Sequence, residues 1–448
     1  MILTFDIGTS SLRTALYETT GNRIPNTLSQ KSYPLVTDSE GRAEIAPTLL
    51  LKTAQTCLAE TLAVYRKIPT SKRSPIQAVG TSCFWHSLLG LDATAKPLTP
   101  IYTWADSRCE KDAEQLRKNE NEKHYHHHSG AMLRTSFWPA KLFWLRRTER
   151  QLFKKVQTWL SPADFLYTHF CADWHTSYSM ASGTGLLDRS QKNWSKIWLK
   201  KCALSQAQLG PISDSPLTSS VATLRKFPEL KETLWYPAIG DGAANNLGCK
   251  AIGGKTAAIN FGTSAAIRII RKSDSPKAPR VPFGLFCYLV DRNHWLIGGA
   301  ISNAGNVRAW AVKTLRLPDE KILEKELKKR AEQPTYLYAR PYLITERAPD
   351  WPENQNSLLE GFHPGTDAIE IFRSLTDATY DRLATIGNLL QGKVCGPFQR
   401  VVVSGGLLRS AYGMQRLKKL LGGTPLQANK DPEGSLKGAA LFTQRKIF

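Results

Sequence analysis

The sequence predicts an α/β fold built from two related domains. The main observation is an internal repeat. An apolar run, Gly-Thr-Ser and a second apolar run occur at residues 2–17 and again at residues 257–270. Each copy is typical of two strands joined by a tight turn at the glycine. Because the copies lie more than half the chain apart, they indicate a duplicated domain rather than a solenoid of short repeats. The second observation is that predicted strands alternate with long amphipathic helical segments, as in α/β folds.

The spacing of apolar residues predicts the helices and strands that surround the two copies of this repeat. Apolar residues three and four positions apart predict helices, whereas short apolar runs followed by glycine predict buried strands. Asp431, Pro432 and Glu433 combine the cap, proline and acid signals of a helix start. The predicted elements are helices at 47–67, at 367–390 and from about 436 to the terminus, and strands at 76–80 and 400–404.

A polar, proline-bearing stretch at residues 209–237 separates the two halves. We therefore predict an N-terminal domain over residues 1–235 and a C-terminal domain over residues 236–448. Residues 273–282 are predicted to form a polar loop inside the second domain. The histidine-rich run 124–128 lacks the spacing of metal ligands, so a solvated or hydrogen-bonded loop is expected there.

The amino-acid composition excludes several classes of protein. Of the 448 residues 42% are apolar and 22% charged, which excludes disordered and collagen-like chains. No apolar run approaches the roughly 20 residues of a membrane span, and the N-terminus does not resemble a signal peptide. The eight cysteines are widely spaced and form no C-x-x-C pair, so we expect reduced, mostly buried thiols in a cytoplasmic protein.

The net charge of +22 has two interpretations. One is an acidic partner, such as nucleic acid or a small anionic substrate. The other is solubility, which is favoured because the basic residues are spread along the whole sequence. The densest run, residues 321–330, interleaves Lys with Glu as a solvated helix does. We therefore expect neither a nucleic-acid nor a membrane partner.

Two loops are candidates for binding phosphate. In residues 6–13, DIGTSSLR, small residues in a tight turn let backbone N–H groups approach phosphate oxygens, and the hydroxyls add donors. Asp6, at the strand end, can hold Mg²⁺ directly or through water. Residues 260–264 repeat the loop without the acid. Together the two loops are expected to clamp a triphosphate between the domains.

Two further segments carry candidate chemistry. Asp241 lies among small residues at a predicted helix start. It is either a helix N-cap or, beside the second Gly-Thr-Ser loop, a general base in an interdomain cleft. Gly405 and Gly406 end a predicted strand, where bare backbone lets a base or ribose pack closely.

These motifs resemble, in the same order, those of the FGGY carbohydrate kinases: DIGTSSLR, GDGAANNLG, INFGTSAA, and VSGGLLRS with EGSLKGAA. The resemblance covers nearly the whole chain. It implies two actin/hexokinase-like (ribonuclease H-like) α/β domains around a central cleft. It also implies phosphorylation of a sugar, polyol or sugar acid with ATP and Mg²⁺.

The resemblance also implies residue roles. Asp241 is then the catalytic base, and Asp6 positions Mg²⁺. The residues that contact the phosphates or line the nucleotide pocket are Gly8, Thr9, Ser10, Arg13, Gly262, Thr263, Gly405 and Gly406. The residues that contact the sugar are Trp85, His86, Trp104, Asp106 and Arg108.

Residues 83–89 and 103–108 look most like the gluconokinase branch, which implies gluconate as acceptor and 6-phosphogluconate as product. A carboxylate that enters a cleft needs charged donors to replace its hydration. Arg108 and Lys141 are the candidate donors, with Arg134 as a third. A kinase of a ketopentose or polyol is the alternative within the class.

Two other classes of protein are alternatives to an active kinase: a sugar-sensing pseudokinase, and a nucleic-acid-binding protein on a degenerate kinase fold. A pseudokinase would usually have lost the base or a phosphate loop, and the sequence retains both. No aromatic-basic RNA motif is visible. We therefore expect an active kinase, and a homodimer is left open.

Overall fold

The computed structural model describes residues 1–272, 277–352, 355–429 and 431–444. Its strands are β1 (Ile2–Ile7), β2 (Ser11–Tyr17), β3 (Ser29–Ser32), β4 (Val36–Thr37), β5 (Ala43–Ile45), β6 (Ala78–Cys83), β7 (Leu89–Leu91), β8 (Ile101–Tyr102), β9 (Thr158–Leu160), β10 (Leu187–Asp188), β11 (Asn193–Trp194), β12 (Leu234–Trp235), β13 (Ile239–Gly240), β14 (Thr256–Phe261), β15 (Ala265–Lys272), β16 (Phe286–Asp291), β17 (His294–Ile301), β18 (Tyr338–Arg340), β19 (Leu358–Glu360), β20 (Arg400–Gly405) and β21 (Leu426–Ala428).

Its α-helices are α1 (Pro47–Lys67), α2 (Glu110–Asn119), α3 (Glu122–Ser129), α4 (Trp138–Thr148), α5 (Arg150–Lys155), α6 (Pro162–Phe170), α7 (Tyr178–Ser182), α8 (Lys196–Lys201), α9 (Val221–Lys226), α10 (Asp241–Gly248), α11 (Gly305–Thr314), α12 (Glu320–Lys329), α13 (Ala368–Leu390), α14 (Ala411–Leu420) and α15 (Gly434–Thr443). Within the described ranges, none of these helices is both long and apolar enough to cross a membrane.

The first large sheet has the strand order β12–β6–β1–β2–β3, and β13 also pairs with β6. β1 and β2 form the antiparallel hairpin that the sequence predicts, with Asp6 opposite Arg13. β1 runs parallel to β6. Helix α1 has the predicted bounds and packs on β2 and β3 through an apolar stripe that includes Leu50, Leu58 and Leu62.

The second large sheet, in the order β16–β17–β15–β14–β20–β21, repeats this arrangement. β14 and β15 form an antiparallel hairpin, and β14 runs parallel to β20, which follows the long helix α13. Helix α13 begins one residue after its predicted start and packs on β15 and β17. The duplicated α/β domain that the internal repeat predicts is therefore confirmed.

Helix α15 connects the two halves. It packs on β1 and β6 of the first sheet and along α10. Glycines allow the close approach: a Cβ at Gly438 would lie 1.7 Å from the carbonyl oxygen of Ala244, and one at Gly248 would lie 1.9 Å from that of Gly434. Since α10 begins at Asp241, α15 fixes the helix that carries the predicted base.

A small apolar cluster, separate from the main core, lies where α15 meets the first sheet. It joins residues from the two ends of the described chain. Its members are Ile2, Ala15, Tyr17, Ala78, Leu436 and Ala440.

The predicted division after residue 235 falls between two strands of one sheet. β12 and β13 both pair with β6, because the chain returns to the first sheet after the proline-bearing stretch. The chain changes from the first sheet to the second between β13 and β14.

The histidine-rich run is helical, and the prediction of a loop was wrong. Asn121 caps α3 by accepting a hydrogen bond from the backbone N–H of His124 (3.0 Å), and the helix ends at Gly130 in the left-handed region. His126 is buried, and its Nε2 donates to the carbonyl oxygen of Leu285 (2.6 Å). The cap at Asn121 and the burial of His126 stabilise a helix here despite the polar composition of the run. No group of three His, Cys, Asp or Glu in the described part of the chain is placed to hold a metal ion.

The other predicted elements lie close to their expected places. The strand predicted at 400–404 is β20, the strand predicted at 76–80 is β6, and the last predicted helix is α15. All eight cysteines are free and six of them are buried, as expected. Residues 273–276 of the predicted polar loop, and residues 445–448 of the last predicted helix, lie outside the described residues.

Candidate active site

The two Gly-Thr-Ser loops border one cavity of about 330 Å³. Its lining residues are Thr9, Phe84, Trp85, His86, Trp104, Ser136, Phe137, Asp241, Asn260, Gly262, Thr263, Ser264, Ala265, Ala266, Arg268, Phe286, Tyr288, Ala300, Arg347 and Trp351. Seven of the sequence-predicted site residues are among them, namely Thr9, Trp85, His86, Trp104, Asp241, Gly262 and Thr263. The fold thus brings both phosphate loops, the predicted base and an aromatic wall to one space.

The first loop is the turn between β1 and β2. The backbone N–H of Gly8 donates to the carbonyl oxygen of Ser11 (2.9 Å), which closes the turn. The indole Nε1 of Trp104 donates to the Oγ1 of Thr9 (3.1 Å). This contact joins the phosphate loop to a residue predicted to contact the sugar. Ser10 is exposed on the same loop and lies outside the lining of the cavity.

The second loop is the turn between β14 and β15. The backbone N–H of Gly262 donates to the carbonyl oxygen of Ser264 (2.9 Å). The start of α11 supports it, because the N–H of Gly305 donates to Gly262 (3.0 Å) and that of Asn306 donates to Thr263 (3.2 Å). Gly262 and Thr263 are both exposed to the cavity.

Asp241 is the first residue of α10, and its side chain is open to the cavity. Its Oδ1 accepts a hydrogen bond from the N–H of Gly242 (2.7 Å). The protein around it raises the pKa of this carboxyl, because burial disfavours the charged form, and the positive charge of Arg268 opposes that rise. Such a carboxylate is suited to accept a proton from a bound hydroxyl.

Asp6 and Arg13 lie side by side behind the first loop. Arg13 Nη1 is 3.0 Å from a carboxylate oxygen of Glu433 and 3.9 Å from one of Asp6. Burial raises the pKa of Asp6 to about 6; a hydrogen bond with Ser82 and the charge of Arg13 oppose the rise, and the charges of Asp241 and Glu433 add to it. The charges of Asp241 and Glu433 therefore both repel that of Asp6.

This carboxylate group fits a divalent cation. Carboxylate oxygens are hard ligands of the kind that Mg²⁺ takes, and an added cation relieves their repulsion. In the described part of the chain no three acidic, histidine or cysteine side chains converge on one point. That agrees with Mg²⁺, which is usually bound by one or two carboxylates together with substrate phosphates.

The aromatic wall is built around Trp85. Its indole packs so closely on Gly240 that a Cβ there would lie 1.8 Å from the ring, and its Nε1 donates to the carbonyl oxygen of Ser179 (3.0 Å). The ring of Tyr288 lies 5.2 Å from that of Trp85, between centroids. These contacts hold a flat apolar surface beside Asp241.

His86 lies next to this wall in the left-handed region, with φ of 67°. Its Nδ1 donates to the carbonyl oxygen of Gly183 (2.5 Å), which leaves Nε2 as an acceptor. Burial lowers the pKa of His86 to about 4. The ring is therefore neutral at physiological pH and can accept a hydrogen bond from a hydroxyl.

Arg108, Asp106 and Lys141 lie outside the cavity lining. The guanidinium of Arg108 is paired with Asp106 (2.6 Å) and with Glu44 (2.5 Å), both of which are buried. Lys141 is 1% exposed and donates to the carbonyl oxygens of Asp106 (3.3 Å) and Thr135. The structure thus places these charges in internal pairs of the N-terminal domain.

The remaining predicted residues lie around the cavity. Arg134 is paired with Glu122. Gly405 ends β20 with a φ of 89°, and a Cβ there would lie 2.4 Å from the carbonyl oxygen of Phe261, so the backbone requires glycine. Gly405 and Gly406 are exposed and do not line this cavity.

Sequence reasoning missed the arginines of the cavity. Arg268 lies on β15 and Arg347 lies in the segment between β18 and β19. The available signal for Arg268 is that it alone is charged within the apolar run 265–270. Arg347 has no comparable local signal, because its place depends on contacts with Ile301 and Ser302, over forty residues away.

Duplicated sheets whose hairpin turns face one cavity, with a carboxylate between them, are the arrangement of a two-domain phosphotransferase. Residues 1–225 match the model of the FGGY family of carbohydrate kinases, N-terminal domain, and residues 257–445 match that of its C-terminal domain. The chain belongs to the FGGY family of carbohydrate kinases. It is an ATP-dependent sugar kinase, as its motifs predict.

Relatives with two different acceptors are similar to this chain. A gluconokinase of Bacillus subtilis (strain 168) is 25% identical over 442 residues, which cover 94% of this chain and 82% of that protein. A gluconate kinase structure from Lactobacillus acidophilus has a TM-score of 0.89 at 25% identity, covering 100% of this chain and 89% of that one. A ligand-bound xylulose kinase from the same species has a TM-score of 0.88, with the same identity and coverage. The likeness defines the enzyme class and leaves the acceptor to be argued from the site.

Proposed function

We propose that this enzyme transfers the γ-phosphoryl group of ATP to gluconate, with Mg²⁺ as cofactor, and forms 6-phosphogluconate. The observation that carries the choice of a sugar acid is the charge of the cavity: among the residues that the structure describes, two arginines and a single carboxylate, Asp241, line it. An acid that enters a cleft gives up its hydration, and charged donors replace it. Similarity to gluconokinases over more than 90% of the chain supports the same choice.

In the proposed reaction Asp241 accepts the proton of the acceptor hydroxyl while that oxygen attacks the γ-phosphorus. The bond from the γ-phosphorus to the bridging oxygen breaks, and ADP leaves with that oxygen. The loops at Thr9 and Thr263 supply backbone N–H groups and hydroxyls to the phosphates. Phosphoryl transfer depends mainly on such positioning and on neutralising charge.

The remaining roles are assigned by position. Asp6 would hold Mg²⁺, directly or through water, and the ion would offset the charge of the phosphate oxygens. Trp85 and Trp104 provide faces against which the acceptor packs, and His86 Nε2 accepts a hydrogen bond from one of its hydroxyls. Asp106, Arg108 and Lys141 support the walls of the cleft from inside the N-terminal domain.

The test is ATP turnover against a panel of gluconate, xylulose, ribulose and glycerol. We expect kcat/KM to be highest for gluconate by about tenfold or more, which is about 1.4 kcal/mol in transition-state stabilisation. A neutral acceptor that wins by the same margin would contradict the sugar-acid assignment. The acceptor would then be a ketopentose or polyol, the class that the likeness to a xylulose kinase favours.

A further inference from the structure

The two arginines that line the cavity reach it from different parts of the second half of the chain. Arg268 projects from the middle of β15, and a Cβ built on Gly242 would lie 2.9 Å from its Nε, so its guanidinium lies beside the residue that follows Asp241. Arg347 lies against the end of β17, where its Nη2 donates to Ile301 (3.1 Å) and its Nε to Ser302 (3.0 Å). The two guanidiniums therefore border the same space from two sides.

Among the described residues, neither guanidinium forms a salt bridge or a hydrogen bond with a carboxylate, although Asp241 lies near Arg268 and Glu346 near Arg347. The Nη1 of Arg268 is buried without any hydrogen bond. Arg347 is held only by neutral acceptors, since the carboxylate of the adjacent Glu346 is taken up by the backbone of Ser302 (2.5 Å) and by Asn303 (3.1 Å). Burial lowers the pKa of both arginines; the charge of Asp241 opposes this at Arg268 and that of Glu346 opposes it at Arg347, while the charge of Arg268 lowers the pKa of Arg347 further. Two partly buried, like charges that form no salt bridge are costly, and an anionic ligand would offset that cost.

The position of Arg268 distinguishes between the two anions of the reaction. Ser264, Ala266 and Arg268 lie on one face of β15, because side chains alternate along a strand. Four residues at ~3.3 Å each place the backbone of Arg268 about 13 Å along the strand from the phosphate loop. Between them the small side chains of Ala266 and Ala300 line the cavity and leave room for a substrate. With the phosphates of ATP bound at the loop end, an acceptor in this cavity would extend toward the arginines.

We propose that Arg268 and Arg347 together bind the carboxylate of the acceptor, and that this pair makes the enzyme specific for sugar acids. The proposal rests on the proposed function in its choice of substrate class. A guanidinium can meet a carboxylate with two parallel hydrogen bonds, and the free Nη1 of Arg268 is available for one of them. A neutral polyol of the same length would leave both charges unpaired.

The experiment compares two acceptors that differ only at one carbon: gluconate, and glucitol, in which the carboxylate is replaced by a hydroxymethyl group. The proteins are the wild type, Arg268→Gln, Arg347→Gln and the control Arg66→Gln. Arg66 is half-exposed, is paired with Glu229 and lies outside the cavity, so the control removes one guanidinium without touching the site. Both kcat/KM values and the KM for ATP are measured for each protein.

We expect each cavity variant to lose about 10–150-fold in kcat/KM for gluconate, which corresponds to about 1.5–3 kcal/mol for a hydrogen bond to a charged group. The value for glucitol, measured at a pH above the acid limb of the profile, should fall much less than that for gluconate, because glucitol has no carboxylate to lose its partner. The control should match the wild type with both acceptors. Equal losses with both acceptors, or a raised KM for ATP, would overturn the proposal, because the arginines would then act on the fold or on the phosphates.

A binding measurement separates this inference from the proposed function. In thermal unfolding without ATP, gluconate should raise the melting temperature of the wild type and not that of Arg268→Gln. The unliganded variant should still unfold in one cooperative transition, so that a lost response to gluconate reports lost binding and not a misfolded protein. If the wild type phosphorylates a different sugar acid and loses it in Arg268→Gln, the choice of gluconate fails and the carboxylate site stands. If the wild type neither binds nor phosphorylates any sugar acid, both fail.

Discussion

The contact between α15 and α10 predicts a large effect from a single methyl group far from the substrate. In Gly438→Ala the new Cβ would lie 1.7 Å from the carbonyl oxygen of Ala244, whereas ordinary contact begins at 3.4 Å. Because the obstacle is backbone, one helix must retreat from the other by roughly 1.7 Å. Overpacking of this kind typically costs about 1–3 kcal/mol of stability.

The displaced helix carries Asp241, so activity should fall as well. A misplacement of about 1 Å in a catalytic group can cost ~10²-fold in rate, and we expect a loss of that order in kcat for Gly438→Ala. The assay is kcat at saturating ATP and acceptor, together with the melting temperature. The matched control is Gly392→Ala, where a Cβ meets nothing within 4 Å and φ is not left-handed. It should be neutral or stabilising by about 0.4–1 kcal/mol. Wild-type activity and stability in Gly438→Ala would refute the claim that this contact fixes the position of Asp241, the proposed base.

Four further predictions follow from the site and the charge pattern. Asp241→Asn should lose about 10²–10⁴-fold in kcat while still binding ATP, as titration calorimetry can show; near-normal turnover would reduce Asp241 to a helix-start residue. Arg268→Gln removes the charge that lowers the pKa of Asp241, so the acid limb of the normalised kcat/KM profile should move to higher pH; an unmoved limb would mean that another group sets it. Arg108→Ala leaves the buried carboxylate of Asp106 without its ion-pair partner and leaves Glu44 paired with Arg42 alone, so it should cost about 3–5 kcal/mol in unfolding measurements without changing the preference between gluconate and glucitol. Duplex DNA and single-stranded RNA at ~150 mM salt should bind no tighter than ~10⁻⁴–10⁻⁶ M, and nanomolar binding would contradict the solubility interpretation of the charge.

Local patterns explain why much of the fold was predictable. The two hairpins and helices such as α1 are encoded by apolar spacing within a short window, and a duplication makes the same signal appear twice. The histidine-rich run failed because its environment is set elsewhere: His126 is buried against Leu285, more than 150 residues away. Composition alone carries no information about such a contact.

The residues of the candidate site also divide into those with a local sequence signal and those whose place depends on distant contacts. Thr9, Thr263 and Asp241 were found because loops and helix starts have local signatures. For a charged residue, no local signature predicts which side chain it will pair with. Arg108 sits in a conspicuous motif and is occupied by Glu44, which lies 64 residues away. Arg268, by contrast, is one charge in an apolar strand, and only the assembled structure shows that its Nη1 is buried without a hydrogen bond.

The cluster beneath α15 has a consequence for synthesis on the ribosome. Tyr17 and its neighbours on the first sheet are covered by Leu436 and Ala440, which are translated roughly 420 residues later. At about 5–20 residues per second, that interval lasts on the order of 20–80 s. For this time the nascent first sheet presents an uncovered apolar face, which makes it a surface for chaperones to shield. Pulse proteolysis of ribosome-bound chains should find the first domain protease-sensitive until residues 434–443 have emerged.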